Sequence, residues 1–133
     1  MKNLVSFRAA GTLALVLLSL LALFHAAVLL KLLPGAIVWG GQMAVDASSL
    51  VVMESLALAV TLIFILLVAI RLGCLGKERF TRLGRIGMWV IFGFFLLNVV
   101  GNLASPVLAE KLIFIPVSLI LVLLSLRMTL RDR

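Results

Sequence analysis

Apolar residues run through this chain in four long blocks, separated by short segments where charge, glycine or proline collects. The blocks extend from Ala9 to Leu30, from Ser49 to Ile70, from Ile86 to Ala104, and over about 109 to 127, the last built around the run Leu112 to Leu126. A membrane crossing needs about 20 residues at a rise of about 1.5 Å each, a length the first two blocks meet outright. The fourth reaches it if the turn holding Glu110 and Lys111 sits at the headgroups. The pattern predicts an all-α protein, an integral membrane four-helix bundle forming a single four-span transmembrane domain over residues 1–133. Composition agrees: 65% of residues are hydrophobic and the mean hydropathy is +1.34, more apolar surface than a soluble core can hide. Whatever the protein does is expected to happen in or at the bilayer.

Charge orients the spans. Of the 12 lysines and arginines, all but Lys31 and Lys111 lie before the first span, between the second and third, or after the fourth. This bias places both termini and the middle loop in the cytoplasm of a multi-pass protein, with the bacterial inner membrane as its setting. The net charge of +7 is mostly this topological signal. Nucleic acid is not expected as a partner, because the charge is split by spans and carries no aromatic-interleaved patch. Arg79, Arg82 and Arg85 can also meet anionic lipid heads. The first block imitates a secretory signal, yet it exceeds the usual apolar region of about 7 to 15 residues and is expected to stay as a helix. Cys74 is the single cysteine, which excludes a disulfide framework and leaves an inert thiol as the simplest expectation.

The connection between the first two spans is unusual. From Pro34 to Val45 it carries no charge, so a free aqueous loop describes it poorly. Pro34 and Gly35 should turn the chain, and Gly40 with Gly41 permits a second bend. An interfacial or re-entrant segment is expected, folded over the outer mouth of the bundle as a lid, with Trp39 at the membrane boundary. Asp46 is placed to cap the second helix.

Polar residues inside the spans fall at one depth. His25 and Glu54 lie on the order of 10 Å below the outer ends of the first and second spans, at about 1.5 Å per residue. Asn98 is at a similar depth in the third, and Asn102 is one turn above it on the same face. Pro116 cannot donate a hydrogen bond and leaves the Leu112 carbonyl without its usual helical partner. A charged side chain within a span costs about 2.5 to 3.5 kcal/mol, so Glu54 should face the bundle and be paired or protonated. Membrane asparagines are often interhelical ties worth about 0.6 kcal/mol, and the polar layer is equally open to that structural reading.

The order His25, Pro34, Val38, Trp39, Gly40, Gly41, Gln42, Glu54, then Asn98 to Asn102, Glu110 and Pro116, resembles a family of small, uncharacterised four-span bacterial membrane proteins. Members carry a VWGGR-like segment after the first helix and an Asn-x-x-Gly-Asn stretch in the third. The resemblance covers nearly the whole chain and implies an architecture and a set of positions, but no reaction. Gln42 stands where the family has Arg, which leaves an anion-binding role there without support.

Other chemistries find little footing. A metal centre needs several His, Cys or carboxylate ligands, and the one histidine is separated from Cys74 by the membrane. Phosphate-loop, nucleophile and redox-pair motifs are missing, and no cofactor is expected. Three functions remain open. The favoured one is a binding protein or accessory membrane subunit that takes a small apolar or amphipathic ligand beneath the outer leaflet, with His25, Trp39, Gln42, Glu54, Asn98 and Asn102 lining the site and Pro34, Gly40 and Gly41 shaping the lid. The second is a membrane enzyme in which Glu54 trades a proton with His25. The third is a small dimeric proton-coupled transporter using Glu54 as its coupling carboxylate. Partners are then membrane lipids, the apolar ligand, and a second copy or a larger membrane complex.

The charge bias makes a direct prediction. Reporter fusions at Lys77 and after Arg133 should register as cytoplasmic and one at Gly41 as extracytoplasmic. A cytoplasmic signal from Gly41 would overturn the orientation and the common depth together.

Overall fold

A computed structural model describes residues 5–30, 32, 47–75, 80–104, 108 and 110–129. They form four helices, α1 (Phe7–Leu29), α2 (Ala47–Leu72), α3 (Thr81–Leu103) and α4 (Ile115–Thr129), the last preceded by a π turn over Glu110–Phe114. All four, counting the π turn with α4, are long and apolar enough to cross a membrane. The protein is an all-helical, multi-pass membrane protein, and the described residues contain no strand.

Local chemistry sets the helix ends. Ser6 caps α1, its Oγ accepting from the Ala9 N–H at 3.1 Å, which satisfies one of the donors a first turn leaves open. α2 closes on Gly73, whose φ of 85° is the left-handed region that glycine enters without a Cβ clash. The Gly73 N–H then donates to the Ile70 carbonyl at 3.0 Å and the Cys74 N–H to that of Ala69 at 2.9 Å, the paired closure of a Schellman motif. The third helix begins at Thr81, one turn before the expected Ile86. Hydropathy marks where the apolar block starts, whereas a helix continues into the headgroup zone, and Arg82 and Arg85 belong to that polar first part. Pro116 does not simply interrupt the fourth span. The wide π turn lies just ahead of the proline, where a prolyl ring would otherwise crowd the carbonyl four residues back.

The helices pack as a closed ring in which α1 lies against α2, α2 against α3, α3 against α4, and α4 against α1. On α1, Phe7, Gly11, Ala14, Leu18 and Val28 are buried, with Leu21 and His25 half-buried between them. Their alternating spacing of four and three is a heptad seam. α2 turns Glu54, Thr61 and Val68 inward, and α3 turns Met88, Ile91, Phe95 and Asn102. Leucines and valines cover the outside, among them Leu97 at 74% exposure, which fits a chain whose solvent is hydrocarbon.

Two glycines decide how closely α2 and α3 approach. A Cβ on Gly84 would stand 3.1 Å from the Arg71 Cα, and one on Gly87 would stand 2.9 Å from a Leu67 methyl, whereas one on Gly93 meets nothing within 4 Å. Gly84→Ala should therefore destabilise the bundle, because backbone must give way. Gly93→Ala should be neutral or stabilising by up to about 1 kcal/mol. Unfolding of the two variants in detergent or bicelles checks this, and equal responses would contradict the packing.

Candidate functional site

His25 and Glu54 meet. The His25 Nδ1 lies 2.6 Å from the Glu54 Oε2, joining the seams of α1 and α2 near one end of the ring. Glu54 is completely buried and the His25 side chain is 13% exposed. The contact can be made from either side, by Nδ1–H donating to the carboxylate or by a carboxylic acid donating to Nδ1, and in both it keeps the Glu54 carboxyl from being buried without a partner.

Aromatic rings brace the pair. Phe24 stands edge-on to His25 at 5.7 Å and edge-on to Phe114 at 5.0 Å, arrangements suited to the ring quadrupole. Phe114 belongs to the π turn, so this contact brings the turn preceding α4 level with His25. The π turn also packs on α3, whose last buried position is Asn102. Asn102 thus ends the core-facing stripe of α3 at the same end of the bundle. It is 8% exposed, and its Nδ2 has no hydrogen-bond partner among the described residues. A buried amide donor left unmade costs about 1 to 3 kcal/mol.

The other expected positions fall differently. Asn98 is half-buried beside the stripe rather than on it, so its amide and that of Asn102 do not share one environment. Pro116 is exposed. Pro34, Trp39, Gly40, Gly41 and Gln42, and the capping Asp46, lie outside the described residues, as does the lid they were expected to form. Cys74 is exposed and free. No group of three or more His, Cys, Asp or Glu side chains converges on a point among the described residues.

Sequence reasoning missed the opposite end. Arg71 and Arg127, which the sequence reading used only for the charge bias, are each only 1% exposed. The Arg71 Nε donates to the Met128 carbonyl at 2.8 Å, and its guanidinium lies 4.7 Å from the centroid of the Phe7 ring. The Arg127 Nε donates to the Val5 carbonyl at 2.7 Å. Met128 sits in the last turn of α4, where carbonyls lack helical partners and the helix dipole favours a cation. The signal was present for Arg71, which continues the inward stripe of Phe64 and Val68 at helical spacing. Between the two ends the buried hydroxyls close on their own helices, Thr61 onto the Ala57 carbonyl at 2.7 Å and Ser125 onto that of Val122 at 3.0 Å.

No protein-family model, curated protein or solved structure matches the chain.

The pair's electrostatics can be separated from ordinary interhelical bonding. His25→Leu and Glu54→Leu should each destabilise the bundle, and the double variant should recover part of the loss, because it leaves neither group orphaned. The coupling should exceed the average of about 0.6 kcal/mol for interhelical hydrogen bonds in membranes. Additive losses in a double-mutant unfolding cycle would contradict the pairing.

Proposed function

We propose that this membrane protein binds a small apolar or amphipathic molecule at the layer containing His25, Glu54 and Asn102, near its extracytoplasmic face, and serves as a binding protein or an accessory subunit of a larger membrane complex. The observation that carries the reading is Glu54, a carboxylate with no exposed surface held 2.6 Å from a histidine inside a helix long enough to cross the membrane. Ionisable groups in spans are costly, and a buried ion pair stabilises a fold no better than well-packed apolar residues do, so their retention points to use. Orientation comes from the lysine and arginine bias, which puts this end outside and both termini in the cytoplasm of a bacterial inner membrane. Asn98 borders the layer, while Trp39 and Gln42, with Pro34, Gly40 and Gly41, supply its cover in this scheme.

A second reading rests on the same contact. The one proton shared by His25 and Glu54 can be moved toward a bound molecule, which would make the site a proton-transfer centre or the coupling point of a small dimeric transporter.

Native mass spectrometry of the protein extracted with its surrounding lipids tests the binding reading. The wild type should retain a small molecule that is not a bulk phospholipid, and Glu54→Gln and His25→Ala should lose it while remaining folded. Identical complements in all three would remove the binding reading, and chemical conversion of the retained molecule would establish the proton-transfer one.

A further inference from the structure

The arginines of the bundle divide by what they touch. Arg71 and Arg127 are buried and bonded to backbone carbonyls, whereas Arg82 and Arg85 stand exposed near the start of α3 and make no hydrogen bond or ion pair among the described residues. No acidic residue occurs on α3, so nothing on their own helix balances the two charges. Gly84, packed against Arg71, places them at the end of the bundle opposite His25. Helical spacing carries the same face onward through Trp89, Gly93 and Leu96, away from the buried stripe of Met88, Ile91 and Phe95. Trp89 is exposed and steadied edge-on by Phe92 at 5.8 Å, and its indole N–H has no partner among the described residues. A Cβ on Gly93 would meet nothing within 4 Å. No neighbour in the described fold needs that glycine, and it leaves a notch in the outer surface between Trp89 and Leu96.

The order along this face is the order of groups in a lipid. At about 1.5 Å per residue, Trp89 lies about 6 Å and Gly93 about 12 Å deeper than Arg85. We infer that this face of α3 seats one anionic diacyl phospholipid: Arg82 and Arg85 hold its phosphate, the Trp89 indole N–H donates to an ester carbonyl, and an acyl chain lies in the notch at Gly93. Guanidinium forks match phosphate oxygens, and paired charge-assisted bonds are the strong ones. A zwitterionic headgroup brings its own cation to the phosphate and gains less from two arginines. Basic surfaces on membrane helices recognise anionic headgroups in this way, and tryptophan favours the same level of the bilayer.

Native mass spectrometry of the protein in nanodiscs of equal parts dipalmitoyl phosphatidylglycerol and dipalmitoyl phosphatidylcholine tests the seat. The wild type should retain phosphatidylglycerol in preference, and Arg82→Gln and Arg85→Gln should each cut that preference about fivefold, the effect of one basic residue near an anionic surface. Arg8→Gln removes an equally exposed charge from α1 and should leave the preference intact. Gly93→Leu keeps every charge and fills the notch, so it should lower lipid retention without altering the preference. Glycerol phosphate in excess should not displace the lipid. An equal loss in Arg8→Gln would reduce the effect to diffuse charge, and displacement by glycerol phosphate would make the arginines a site for free phosphate. A wild-type dimer broken by Gly93→Leu would make the face an interface between copies. Each of these overturns the lipid seat, as does retention indifferent to the three α3 variants.

Discussion

A carboxylate within a membrane-spanning helix is the constraint on which the rest of the structure depends. Exposed to lipid it would cost about 2.5 to 3.5 kcal/mol on insertion scales and more in hydrocarbon itself. That penalty forces α2 to turn the face carrying Glu54, Thr61 and Val68 inward, and it requires a partner at the same depth. α1 supplies one because its heptad seam reaches His25 at the right level, 2.6 Å from Glu54. Phe24 and Phe114 then fix the ring from the side and draw the π turn against it.

The two ends of the bundle solve the problem of buried polarity in different ways. At one end, Arg71 and Arg127 are spent on backbone carbonyls of Met128 and Val5, closing the tail of α4 and the residues ahead of α1 as a structural clasp. At the other, His25 is paired with Glu54, and among the described residues the Asn102 Nδ2 has no hydrogen-bond partner. Between the ends, the Thr61 and Ser125 hydroxyls bond to their own helices. The proposed function rests on the second of the two ends.

The four spans were legible because length and apolarity alone decide whether a helix can cross a bilayer, and both are local properties of sequence. The meeting of His25 and Glu54 was legible for a related reason: antiparallel neighbours at equal distances from one membrane surface share a level. What periodicity could not supply was rotation about the helix axis. Asn98 and Asn102 are one turn apart and looked equivalent, yet the drift between 3.6 residues per turn and the seam puts Asn102 on the core stripe and Asn98 at its flank. The burial of Arg71 and Arg127 was not legible in a charge count, which ignores that a long side chain can fold back onto a helix end. The π turn had only Pro116 to announce it.

The bundle depends on His25 and Glu54 meeting through Nδ1 across α1 and α2. Nitrogen NMR of specifically labelled His25 in bilayers at neutral pH tests it most directly. The Nδ1 resonance should be displaced by the Glu54 contact, and that displacement should vanish in Glu54→Gln. An Nδ1 signal indifferent to Glu54→Gln would contradict the pairing.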